Sequence, residues 1–283
     1  MRAADLSAFL ANQARAIVAE LQSVRGSSPR EQGAFMLVAP GASVGTIGGG
    51  ALEYLVIARA RQALRDGLPP GAMDVPLGPE IGQCCGGRVT VSMRVVVPDE
   101  ATRLLGRVQA AEREWPHIYL FGSGHVGKAL ARALAALPLR VHVVDTRPDE
   151  LHDLPPHVDA RAVPMPEGVV RNAPVGSAFV ILTHDHALDF LIAGEALQRV
   201  DSPYVGMVGS RTKRAKFASW YREQGGREED IQRLVLPIGD FGLVDKRPEV
   251  IAALAAAEIM VHIGRREASV VRPESELSGA AVD

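Results

Sequence analysis

The sequence predicts an α/β protein in two parts, an N-terminal mixed α/β domain followed by a Rossmann-type parallel-sheet domain. Three observations carry this. From His117 onward, short apolar runs alternate with helical patterns, as parallel βαβ units require. The first of those runs ends directly on a glycine-rich turn that opens a helix. The 283 residues are 47% hydrophobic and 23% charged, enough apolar mass for two cores of ordinary size.

Taken in order, residues 6–15 read as a short helix and Ala16 to Val24 as a strand. Gly26-Ser27-Ser28-Pro29-Arg30 is turn chemistry. Residues 34–39 form a second strand, and 43–47 a short extended piece. Gly48-Gly49-Gly50 opens a helix to about Arg65, with apolar residues at Leu52, Leu55, Val56, Ala60 and Ala63. Residues 67–87 are rich in Pro and Gly, and Arg88 to Val97 alternates as a Val-rich strand. Pro98 marks the boundary of the first domain, residues 1–98. Asp99 is expected to cap a helix to about Glu114, within a linker over 99–116. The second domain runs over 117–264. Its expected strands are 118–121, 141–145, 160–163, 179–183, 204–208 and 234–237, with a last helix from Pro248 to His262. Residues 265–283 are expected to be a disordered tail.

Ile118 to Phe121 is followed at once by Gly122-Ser123-Gly124-His125-Val126-Gly127, a helix, and a second strand ending at Asp145. In such a motif Gly122 permits the turn, Gly124 lets a phosphate approach the backbone, and Gly127 lets helix and strand pack closely. Exposed N–H groups and the helix N-terminus attract the anion. Asp145 falls where a ribose-hydroxyl acceptor sits, so a nucleotide is the candidate for this crevice. A glycine turn kept for packing alone is the competing reading. Arg147 and Arg211 follow two other strands and suit bidentate phosphate contacts. Lys213 and Arg214 read as a solvated helix start. His184 and His186, with Asp185, suit either a metal or the cap of the next helix.

In the first domain, Gly48, Gly49 and Gly50 make a second anion cradle, with Arg30 as a nearby charge partner. Cys84 and Cys85 are adjacent, and their count excludes a disulfide framework. Gly86 and Gly87 leave the second thiol unshielded, a setting that favours thiolate. Two buried small residues in a tight turn is the competing reading.

Together these segments resemble one family. Gly26 to Glu31, Gly45-Thr46-Ile47-Gly48-Gly49-Gly50-Ala51-Leu52-Glu53 and Leu77 to Gly87 are similar to the signature segments of the XdhC/CoxI family. So are Gly122–Gly127, Val144 to Arg147, Leu182 to His186 and Gly206 to Arg211. The likeness spans roughly residues 16 to 262. One departure is Gly239-Asp240-Phe241-Gly242-Leu243, where the family runs more directly into its last helix. The resemblance implies an accessory protein of xanthine dehydrogenase, a chaperone that binds the molybdenum cofactor and protects it during sulfuration. It would then deliver the cofactor to the dehydrogenase's molybdenum subunit. A cysteine desulfurase and a second copy of the chain are the other partners implied. By resemblance Cys85 is the first choice to meet the molybdenum of the bound cofactor and Cys84 the second. Glu53 joins Arg30, Gly48–Gly50, Gly122, Gly124, Gly127, Asp145, Arg147, His184 and Arg211 among the expected binding residues.

Composition excludes other classes. A net charge of −2 gives no global attraction to a polyanion, and 5% aromatics leave few stacking platforms for nucleic acid. Residues 1–10 carry Arg2 and Asp5 and no apolar run of signal-peptide length, so cytoplasm is the expected compartment and no membrane partner is expected. Two other functions stay open: an NAD(P)-dependent oxidoreductase, motivated by the glycine turn and Asp145, and a sulfur- or nucleotide-transfer enzyme acting on the cofactor.

Overall fold

The computed structural model describes residues 1–79 and 86–271, and it divides into two compact units, Met1–Glu114 and Trp115–Asp283. The first unit contains α1 (Ala3–Asn12), β1 (Ile17–Arg25), β2 (Phe35–Val38), β3 (Ser43–Gly45), α2 (Gly50–Asp66), β4 (Ala72–Pro76), β5 (Arg88–Val95) and α3 (Pro98–Arg113). Its five strands are antiparallel, in the order β3-β2-β1-β5-β4. Successive residues of β1 face opposite sides of the sheet. Ile17, Ala19 and Leu21 pack on Leu52, Val56 and Ala60 of α2, while Val18 packs on Leu6 of α1 and Leu104 and Val108 of α3. That double burial explains why β1 opens on the unbroken apolar run Ile17-Val18-Ala19, while its far half carries Glu20, Gln22 and Ser23.

Two expectations for this unit change. The helix after Val97 starts at Pro98, with Val97 at the N-cap and no side-chain cap, so Asp99 lies within the first turn. Proline at the first helical position costs no hydrogen bond, because that N–H is unpaired in any helix. The Pro/Gly-rich stretch also contains β4, which pairs with β5 from Ala72↔Ser92 to Pro76↔Arg88. As an edge strand it accommodates Pro76.

The second unit contains β6 (His117–Phe121), α4 (His125–Ala135), β7 (Arg140–Asp145), β8 (Asp159–Ala162), α5 (Glu167–Asn172), β9 (Ala178–Ile181), α6 (His186–Gln198), β10 (Val205–Met207), α7 (Arg211–Glu223), α8 (Glu228–Arg233), β11 (Leu234–Val235) and α9 (Pro248–Val271). All six strands are parallel, in the order β11-β10-β9-β6-β7-β8. The order reverses between β6 and β9, the point at which ligands enter open α/β sheets. One face is covered by α4 and α9 through Leu130, Leu134, Ala255 and Ile259. The other is covered by α5, α6 and α7 through Val170, Ile192, Phe217 and Tyr221. The final helix runs nine residues beyond His262, to Val271, which shortens the expected disordered tail to residues outside those described. Among the described residues no helix is long and apolar enough to cross a membrane.

Candidate functional site

At the carboxyl end of the parallel sheet, packing dictates two of the three glycines. A Cβ on Gly127 would lie 2.0 Å from the Gly122 carbonyl oxygen, and one on Gly122 would lie 2.5 Å from that of Leu182. Gly124 differs. Its φ is −73°, which any residue adopts, and a Cβ there would meet nothing within 4 Å. The open space lies before the first turn of α4, where the unpaired N–H groups of a helix point.

Asp145 is buried, and its carboxylate already has donors. It accepts from the Ser123 N–H at 2.7 Å, from the Arg147 N–H at 3.0 Å and from the Arg147 guanidinium. Burial works to raise its pKa. The Arg147 side chain and the two backbone amides outweigh that and hold the carboxyl below its ordinary range. Asp145 therefore clamps the glycine turn to β7, and Arg147 is shared between Asp145 and Glu150. Gly122, Asp145, Thr146, Pro166, His184 and Leu188 line a small crevice beside the turn.

His184 and Arg211 are exposed on the loops after β9 and β10. Asp185 caps α6, accepting from the Ala187 N–H at 2.8 Å, the capping role weighed above. Among the described residues no group of three or more His, Cys, Asp or Glu could hold a metal ion. Lys213 is not solvated. It is buried, and its Nζ donates to Asp189 at 2.5 Å and to the Val208 carbonyl at 2.9 Å. Asp189 also accepts from the Thr183 hydroxyl and N–H. This buried pair ties the loop after β9 to the loop after β10. Gly209 makes room for it, since a Cβ there would lie 2.5 Å from Lys213 Cδ. Sequence reasoning missed the pair; the small residue four positions before the lysine was its one local signal.

In the first unit, the segments singled out from sequence come together. A Cβ on Gly48 would lie 2.5 Å from the Pro29 ring, so the Gly45–Glu53 loop packs on the Gly26–Glu31 turn. A Cβ on Gly87 would lie 2.0 Å from the Ser27 carbonyl oxygen, so the chain leaving Cys85 packs on the same turn. Leu77 closes the base of the segment with hydrogen bonds to Gly86 and Gly87 at 2.9 and 2.8 Å. Cys84 and Cys85 themselves lie outside the described residues. Arg30 is exposed on the turn.

The expected anion cradle is occupied in part from within. Glu53 Oε1 accepts from the Thr46 hydroxyl at 2.5 Å, the Gly49 N–H at 2.9 Å and the Ile47 N–H at 3.0 Å. Burial pushes Glu53 upward, but the Thr46 hydroxyl and the amides of Gly49, Ile47 and Gly48 lower its pKa overall. A carboxylate three residues into the helix thus uses the Gly49 amide, one of the three glycine donors assigned to a phosphate, while the Gly48 N–H donates to the Thr46 hydroxyl oxygen. Sequence placed Glu53 in the motif without showing that it folds back on the loop.

Residues 9–73 match the profile of the XdhC and CoxI family, and residues 118–259, half of the chain, match that of the XdhC Rossmann domain. The chain belongs to the XdhC and CoxI family. It is 30% identical over 251 residues to the uncharacterized protein YqeB of Escherichia coli. That match covers 86% of this chain and spans about two fifths (42%) of the length of YqeB. A crystal structure described as a xanthine dehydrogenase of Bacillus halodurans superposes with a TM-score of 0.72 at 20% identity, covering 98% of both chains, and shares the fold. The two profiles fall on the two units: the first takes in the Gly26–Glu31 and Gly45–Glu53 loops and ends before the Leu77–Gly87 segment, and the second takes in the glycine turn.

Proposed function

We propose that the chain is a maturation protein for a xanthine dehydrogenase-type molybdenum enzyme, with the molybdenum cofactor as its cargo. The observation that carries this is the convergence of the Gly26–Glu31, Gly45–Glu53 and Gly86–Gly87 segments at one end of the first unit's sheet. Family membership supports a maturation role, and the clustered loops favour this end of the first unit as its site.

The cargo carries a phosphate, a dithiolene and an oxo-metal centre. Cys85, with Cys84 as the second choice, is proposed to meet the metal end, where a thiolate is a suitable soft ligand. Gly48, Gly49, Gly50 and Glu53 shape the loop, and Glu53 holds it closed through Thr46 and two amides. Arg30 supplies positive charge beside it. Sulfuration on the chain, a cysteine desulfurase partner, a homodimer and a cytoplasmic location belong to the same proposal. In the second unit a nucleotide is proposed for the crevice beside Gly122, Gly124, Gly127 and Asp145, with Arg147, His184 and Arg211 around it. The open space at Gly124 favours that reading.

The test is retention of released cofactor by the full chain on a desalting column. The parent is expected to carry cofactor through and to activate cofactor-free dehydrogenase. Cys85→Ala is expected to lose most of that retention. Equal retention by both proteins would remove the thiol role, and no retention by the parent would remove the cargo. Titration with reduced nicotinamide dinucleotide, read by fluorescence, checks the oxidoreductase alternative.

A further inference from the structure

We propose that the groove at the end of the β1–β5 ladder is a binding site for an organic phosphate or pyrophosphate, gripped between Arg25 and Arg88. This rests on the cargo reading above and assigns the anchor of the cargo's phosphate.

Arg25 and Arg88 are direct cross-strand partners, the last residue of β1 opposite the first of β5. Like charges directly opposite in an antiparallel pair repel and destabilise the ladder. An anion between them would remove that repulsion. Arg88 pairs with Asp74 at 2.5 Å; Arg25, Arg88 and Asp74 are all exposed, so water screens that attraction and the Arg25–Arg88 repulsion alike and leaves both arginines available to an anion. The Arg25 side chain forms no ion pair or hydrogen bond among the described residues. Both arginines line one groove of about 520 Å³ whose other walls are glycines and prolines, among them Gly26, Gly78, Gly86 and Gly87. Among the described residues those walls carry no acid and few side-chain atoms, which leaves room for a phosphate against the backbone. The groove adjoins the chain leaving Cys85, whereas at the competing Gly48–Gly50 cradle Glu53 already takes the Gly49 amide and sets a negative charge beside the loop. Guanidinium forks match phosphate oxygens bidentately, which a lysine cannot do. The first unit contains no lysine, and all its fixed positive side-chain charge is arginine.

The experiment is calorimetric titration of the full chain with inorganic pyrophosphate, with melting curves in its presence and absence. The parent is expected to bind one equivalent and to melt higher when it does. Arg25→Gln and Arg88→Gln should each weaken binding by about tenfold or more, and Arg25→Lys by less. Without pyrophosphate, Arg25→Gln should melt close to the parent, which separates lost binding from lost folding. Failure of the parent to bind pyrophosphate, or unchanged affinity in both Gln variants, overturns the inference. Loading the same proteins with released cofactor separates the two claims. Undiminished retention by both variants overturns the phosphate anchor and leaves the cargo reading intact. Arginine-dependent pyrophosphate binding in a parent that holds no cofactor supports the anchor and overturns the cargo reading.

Discussion

At Gly127 one added carbon would lie 2.0 Å from a backbone oxygen that has no room to retreat, whereas at Gly124 it would enter open space. Gly127→Ala is therefore expected to cost about 3 kcal/mol or more by denaturant unfolding, and Gly124→Ala to unfold within about 1 kcal/mol of the parent. If a nucleotide sits on the turn, Gly124→Ala should still weaken nucleotide binding, a split between folding and binding that one titration of each variant would reveal. Glu53 gives a second residue-scale prediction. Glu53→Gln keeps the shape but weakens three hydrogen bonds to a charged acceptor, and about 1–3 kcal/mol of stability should go. Because the folded pKa of Glu53 is depressed, its contribution is complete above the ordinary glutamate pKa and is lost as pH falls through the folded value. The parent and Glu53→Gln should thus converge in melting temperature on acidification. The glycine turn was legible in sequence because its logic is local: strand, turn and helix within ten residues. The partial filling of the Gly48–Gly50 cradle was not, since a glutamate at that spacing reads equally well as a ligand contact or as a brace.

At the scale of elements, the Asp189–Lys213 pair joins α6 to α7 beneath the crevice loops. Removing one partner leaves an uncompensated buried charge. Lys213→Met should cost about 3–5 kcal/mol, and Lys213→Met with Asp189→Asn should recover part of that, as a double-mutant cycle in urea would measure. The lysine looked solvated because it stands in a run of basic residues at a helix start. Its burial comes from Asp189, 24 residues earlier, and from the gap that Gly209 provides. The same limit hid β4, a short strand that exists only through its ladder to β5. The central parallel strands β6, β9 and β10 were legible because, covered by helices on both faces, they form short buried runs with almost no polar residue, whereas the edge strand β8 is half polar and largely exposed.

At the scale of the molecule, each unit has its own hydrophobic core, in the first unit on both faces of a five-stranded sheet and in the second on both faces of a six-stranded one. Residues 115–271 expressed alone are expected to fold with a cooperative melt. That unit should also be sensitive to acid. His117 Nδ1 lies 2.9 Å from His142 Nε2, and His142 Nδ1 lies 2.9 Å from Asp159. Burial, with lesser contributions from His142 and Arg140, lowers His117 to about 4. A depressed histidine binds protons less readily folded than unfolded. Its stabilisation is present above its ordinary pKa near 6.5 and drains away as pH falls from there towards 4. The melting temperature of the isolated unit should fall over that window, and His117→Gln should flatten the fall.

The loops of the first unit are expected to meet the cofactor at Cys84-Cys85. Thiol alkylation of the full chain, followed by mass spectrometry with and without released molybdenum cofactor, tests that most directly. The expected result is that bound cofactor shields Cys84-Cys85, with Cys85 slowed more than Cys84. Cofactor held by the chain while both thiols react at their unliganded rates would contradict it.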